Sequence, residues 1–113
     1  MSEDCELQDV AALLEDEVAR TILTETNVEP MSANELSDRC GTSEATVYRR
    51  LDELSGCALV TQQMRLDDDG HHHKVYEPNL ERLTIELTGD SFSFQIERTE
   101  TKADRFTRLV EEM

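Results

Sequence analysis

Arg49, with Thr46 three residues before it and Ala45 one earlier still, is the first group of side chains whose types and spacing suggest chemistry. A guanidinium can fork onto the O6 and N7 of guanine, and the methyls of Thr and Ala can meet thymine methyls. At 3.6 residues per turn these three lie away from Val47, Leu51 and Leu54, which recur at i, i+4 and i+7 and draw one apolar stripe. Tyr48 and Arg50 flank that stripe. Small groups near a helix start let it approach a major groove, so Ser43, Ala45, Thr46, Tyr48 and Arg49 are candidate base-side contacts. Arg50, Arg65 and Lys74 are candidate phosphate contacts. His71, His72 and His73 can add hydrogen bonds, and charge at lower pH.

The element that must position them is a helix over 43–54, with Thr42 as an expected cap and Glu44 at its positive end. Before it, Ser32 and Glu35 have the spacing of a capping box, with Met31 placed to staple. The helix they open carries Ala33, Leu36 and Cys40 inward and stops at Gly41. A short helix, a glycine turn and a second helix with a polar face is the helix-turn-helix layout. The plainer alternative is a helical hairpin in a bundle. The residues after Leu54 favour the first reading. Gly56 offers a left-handed helix end, and residues 58–66 read as a strand. The run from Asp67 to His73 reads as a turn around Gly70, and residues 74–77 return before Pro78. A hairpin directly after a reading helix is a wing, here residues 66–74 at its outer end.

Upstream, Val10, Leu13, Leu14, Val18, Ile22 and Leu23 follow helical spacing. Asp16 can cap a fresh start, so one bent helix or two are both allowed. Downstream, Leu83, Ile85 and Leu87 alternate, Gly89-Asp90 turns the chain, and Phe92, Phe94 and Ile96 alternate again. Thr101 and Asp104 predict a last helix with Ala103, Phe106, Leu109, Val110 and Met113 in a stripe. The expected fold is α+β: one winged-helix domain over 1–113, with a core at 7–78 and a hairpin-and-helix extension at 79–113. The apolar faces of that extension need a cover, and a homodimer held by the terminal helices supplies one.

Composition raises an objection to nucleic acid as partner. The net charge is −15, from 26 acids against 11 bases. Residues 1–38 carry eleven acids against Arg20 alone, whereas residues 39–74 carry six acids against five bases. The acid therefore sits mostly outside the reading segment. Nine of the bases are Arg and two are Lys, a lysine-poor, acid-rich surface like that of proteins from extreme halophiles. At molar salt the screening length is roughly 3 Å, so repulsion from phosphates at a distance nearly vanishes. The competing reading of the same charge is an interaction module that avoids DNA and docks basic partners.

No apolar run has membrane-spanning length, and the acidic start is unlike a secretory leader, so the expectation is a cytoplasmic protein. Cysteines at 5, 40 and 57 suggest no disulfide framework, and reduced thiols are expected. Cys40 and Cys57 read as small buried thiols, with a redox switch through them as the alternative and Cys5 on an accessible tail. Three consecutive histidines rarely converge on one metal, and Asp67-Asp68-Asp69-Gly70 lacks the ligand pattern of a calcium loop. Neither a metal nor a cofactor is expected. No nucleophile–base order or phosphate-cradling glycine loop argues for catalysis, so the chain reads as a non-enzyme.

The stretch LSDRCGTSEATVYRRLDELSGCALV resembles the ArsR-like winged helix-turn-helix regulators. Their reading helix runs Ser-x-x-x-Val-x-x-x-Leu-x-x-Leu, then a glycine-containing turn and Leu-Val. Ser43, Val47, Leu51, Leu54, Gly56, Leu59 and Val60 match in order. LLEDEVARTIL and EPMSANELS are similar to small haloarchaeal members, and the likeness spans roughly residues 13–78. It implies a dimeric, operator-binding transcription regulator. Metal-sensing members carry a Cys-x-Cys pair in the helix before the reading helix. Here that helix has only Cys40, which departs from the metal-site pattern.

Overall fold

The carboxylate of Asp16 divides what would otherwise be one long helix. In the computed structural model, which describes residues 5–99, α1 (Leu7–Glu15) and α2 (Glu17–Val28) are separated at Asp16. Its backbone is extended, and its side chain accepts from the Ala19 amide at 2.8 Å. Of the two possibilities open in the sequence, two capped helices are formed. The expected last helix at 101–113 lies outside the described residues.

The helix α3 (Ala33–Cys40) starts as its sequence requires. Glu35 N–H donates to Ser32 Oγ at 3.2 Å, and Ser32 N–H donates to Glu35 Oε1 at 2.9 Å. It ends at Gly41 with φ 64, a conformation that glycine adopts without a Cβ penalty. Next, α4 (Glu44–Gly56) is capped by Ser43 and not by Thr42. Ser43 Oγ accepts from Thr46 N–H at 3.2 Å, while the Thr42 carbonyl accepts from the Ser37 hydroxyl and so belongs to the turn.

The far end of α4 also differs from expectation. Gly56 stays helical, and the left-handed residue is Ala58, with φ 56. Ala58 N–H donates to Ser55 O and Leu59 N–H to Leu54 O, both at 2.9 Å, which is the paired closure of a Schellman motif. That motif brings its flanking apolar residues together, and here they are Leu54 and Leu59, both 0% exposed. Burial of that pair outweighs the backbone preference of alanine.

Since Ala58 and Leu59 close the helix, the strand begins later than its sequence suggests. β1 (Val60–Leu66) pairs antiparallel with β2 (His72–Pro78), from Val60↔Pro78 to Leu66↔His72. The turn is residues 67–71 alone, closed by Asp67 N–H to His71 O at 2.7 Å, with Gly70 at φ 88. His72 and His73 are therefore strand residues, and Pro78 ends the ladder from inside it. Met31 adds a one-residue rung: its amide and carbonyl exchange bonds with those of Tyr76 at 3.3 and 2.8 Å. This ties the start of α3 to the wing. Packed among these elements is the core, including Val10, Ile22, Leu36, Val47, Leu51, Leu54, Leu59 and Val75.

The chain divides into two compact units after Pro78. In the second, β3 (Arg82–Thr88) pairs antiparallel with β4 (Ser91–Glu97) around a two-residue loop with Gly89 at φ 62. Leu83 faces Ile96, Ile85 faces Phe94, and Leu87 faces Phe92, so one face of this hairpin is apolar. Ile85, Leu87 and Phe92 are exposed. The described residues form an α+β fold of four helices and two antiparallel hairpins, and the helices with the first hairpin make a winged helix-turn-helix.

Candidate nucleic-acid interface

The stripe of α4 is buried as its spacing requires: Val47, Leu51 and Leu54 are at most 2% exposed. The opposite face carries Ala45, Tyr48 and Arg49, all exposed, with Thr46 half-buried beside them. Ser43 is exposed but occupied, since its hydroxyl both caps the helix and donates to Thr46 Oγ1 at 3.1 Å. The side chains of Arg49 and Lys74 have no hydrogen-bond or ion-pair partner among the described residues. Both are cations free to meet an anion.

An open cleft of about 580 Å³ runs beside this face. The start of α3 (Ser32, Asn34, Glu35), the start of α4 (Glu44, Tyr48) and the wing (Arg65, His73, Lys74) line it. Arg65 crosses from wing to α3, its Nη2 3.4 Å from Glu35 Oε1 and 3.0 Å from His73 Nε2. His73 Nδ1 lies 3.0 Å from Asp67 Oδ2. A neutral ring with its proton on Nδ1 satisfies both contacts, donating to Asp67 and accepting from Arg65. The Ser32 amide, then the Ser32 hydroxyl and Arg65, hold the Glu35 carboxyl below its ordinary range. Asn34 donates to Glu44 at 3.0 Å. At the turn, His71 Nδ1 is 3.1 Å from Asp69, while His72 stands exposed on the strand. These pairs at the surface are individually weak.

Arg50 stands apart from this group. Its Nε donates to Asp16 Oδ2 at 2.9 Å and its Nη1 to Glu53 Oε1 at 3.2 Å. The Arg50 guanidinium, followed by the Ala19 amide, lowers the Asp16 pKa, and Asp16 in turn raises that of Arg50. This arginine is occupied in holding α4 to the start of α2.

Residues 14–63 match the family model of a helix-turn-helix domain. Over those residues the chain is similar to a helix-turn-helix domain. No curated protein matches the sequence. In the helix-turn-helix layout α3 is the first helix and α4 the second, and such domains are commonly the DNA-binding part of transcription regulators. No helix among the described residues is long and apolar enough to cross a membrane. Nor does any group of three or more His, Cys, Asp or Glu among those residues have metal-holding geometry.

Three relationships around the helix-turn-helix are not visible in the sequence: Arg65 with Glu35, Arg50 with Asp16, and the bond between Cys5 and Cys57. The expectation of reduced thiols and no disulfide is corrected by the last. Cys5 and Cys57 form a disulfide across 52 positions, with Cα atoms 5.5 Å apart. The α1–α2 turn folds the tail back to the end of α4, which no spacing reveals. Cys40 is a free thiol, half-buried, and burial followed by the nearby Glu25 raises its pKa. A thiol held protonated is a poor nucleophile.

Proposed function

We propose that this chain is a sequence-specific DNA-binding transcription regulator of the ArsR-like kind, working as a homodimer. In this reading α4 enters the major groove, with Ala45, Thr46, Tyr48 and Arg49 toward base edges. The wing lies on the backbone or in the minor groove, with Arg65, Lys74 and the histidines facing phosphates. The observation that carries this is the unpartnered guanidinium of Arg49 on the exposed face of α4, in a helix-turn-helix domain. The apolar face of β3 and β4 supports a second copy as its cover, together with the apolar stripe of the terminal segment. The acidic, lysine-poor composition fits work in molar salt, where screening removes the long-range repulsion of −15 from DNA.

The test compares Arg49→Ala with Lys74→Ala on a selected duplex and a scrambled one at several salt concentrations. Loss of a bidentate base contact costs about 1–3 kcal/mol and relaxes preference at one base pair. Loss of a phosphate contact weakens both duplexes alike and flattens the salt dependence. If Arg49→Ala also weakens both alike, Arg49 is not a reader.

A second reading is favoured by one observation: Glu35 and Glu44 line the cleft. On that reading the surface docks a basic protein segment and DNA binding has been lost. Neither variant would then change affinity for any duplex.

A further inference from the structure

The Cys5–Cys57 disulfide joins two places that matter to the reading surface. Cys57 is the C-cap of α4, one residue before left-handed Ala58 and three before the first residue of β1. Cys5 comes just before Glu6, the cap of α1. The bond thus fastens the first helix to the joint between reading helix and wing. By itself α1 is weakly held, since only Val10 and Leu13 of its nine residues are buried. A helix that short is marginal without tertiary support.

The two sulfurs are not equivalent. Cys57 is 3% exposed, whereas Cys5 is half-exposed. Both border an open cleft of about 450 Å³, with Asp9, Asp16, Arg50 and Glu53 around it. A small reagent can therefore reach the bond from the Cys5 side. A protein that binds DNA works where the DNA is, and that compartment is commonly kept reducing, so a disulfide there is typically transient and redox-sensing.

We propose that Cys5 and Cys57 form a reversible redox latch that couples the anchoring of α1 to DNA affinity, an inference that rests on the DNA-binding reading above. In the oxidised form, α1 is held on the end of α4 and the joint to the wing is fixed, which preorganises the reading surface. Reduction by a low-molecular-weight dithiol releases it. One thiolate of the dithiol attacks the Cys5 sulfur, and the S–S electron pair leaves with Cys57, which takes up a proton. The second thiol of the reagent then displaces Cys5, which is protonated in turn. The protein gains two electrons and two protons, and the reagent becomes a disulfide. Oxidation by a disulfide of the same class reverses each step. Cys40 takes no part.

The experiment equilibrates the full chain, in molar salt, with reduced and oxidised dithiothreitol at set ratios. Linkage is read by mass spectrometry after alkylation, anchoring by hydrogen exchange of amides 7–15, and function by affinity for a duplex selected from a random pool. Oxidation is expected to yield the Cys5–Cys57 linkage, slow exchange over 7–15, and tighten DNA binding on the order of tenfold. Cys5→Ser is expected to abolish all three responses and Cys40→Ser none. Cys5→Ser alters a half-exposed position and keeps the test usable even if Cys57→Ser does not fold. Linkage through Cys40, unchanged exchange, or a response surviving in Cys5→Ser overturns the latch. Equal DNA affinity in both redox states, with binding intact, also overturns the latch while leaving the DNA-binding reading standing. Exchange that responds while no duplex binds in either state overturns the DNA-binding reading, and with it the proposed coupling.

Discussion

Arg50 of α4 donates to Asp16 at 2.9 Å, reaching across 34 positions to the residue that caps α2. One carboxylate thus accepts both from the amide of Ala19 and from the guanidinium of Arg50. Both side chains are partly shielded, with 28% and 24% of their surface exposed, so solvent screens this pair less than a fully exposed one.

Asp16→Ala is expected to lose the cap and the ion pair together, and a lost cap alone typically costs about 0.5–2 kcal/mol. Asp16→Asn keeps a capping oxygen and loses the charge, so its cost should be smaller. Arg50→Ala should lower stability while changing the salt dependence of DNA binding less than Lys74→Ala does. Urea unfolding of the three variants and of the double variant Asp16→Ala/Arg50→Ala checks this. Strictly additive losses would show that the two residues do not interact.

Acid should expose the same pair. Asp16 and Glu35 have pKa values lowered in the fold from ordinary values of 3.8 and 4.5. A carboxyl lowered in the folded state contributes stability that is fully present above its unfolded value and is lost as pH falls through the folded one. Melting temperature should therefore receive their full contribution at pH 6 and lose it below about pH 4. Asp16→Asn and Glu35→Gln should each melt lower than wild type at neutral pH and converge toward it in acid. Parallel pH profiles for wild type and variants would refute the assignment.

The end of α4 makes two opposite predictions two residues apart. Ala58 sits at φ 56, where a Cβ is strained, so Ala58→Gly should stabilise by about 0.5–1 kcal/mol. Gly56 is helical, and a Cβ there would meet nothing within 4 Å, so Gly56→Ala should stabilise by about 1 kcal/mol. Thermal melts of both single variants decide the matter. A destabilising Ala58→Gly would mean that Ala58 is not left-handed in solution.

The second hairpin should report on assembly. Phe92 is 64% exposed and lies across from Leu87 on the apolar face. If that face contributes to the proposed homodimer, Phe92→Glu should shift light scattering in molar salt toward the monomer and leave the melting of the helix-turn-helix unit nearly unchanged. A wild-type protein already monomeric at micromolar concentration would reject the homodimer itself.

Periodicity and capping chemistry are local, and they alone determined much of this protein. The stripe of Val47, Leu51 and Leu54, the Ser32–Glu35 box, the Gly41 turn and the alternation of the second hairpin were legible because each depends on residues within a turn or a strand of one another. The exposed face of α4 comes from the same arithmetic, since what is opposite a buried stripe must face outward. Tertiary structure decided where local options were near equal in energy. Thr42 and Ser43 can both cap, and the Ser37–Thr42 bond leaves the cap to Ser43. Gly56 is the better left-handed residue, yet burying Leu54 against Leu59 puts that conformation on Ala58. Long-range partners were invisible for a simpler reason: a charge or a thiol carries no record of its mate. In the sequence Arg50 is a candidate phosphate contact like Arg65 and Lys74, and only the fold brings Asp16 beside it; Cys5 and Cys57 are separate thiols until α1 folds back to the end of α4.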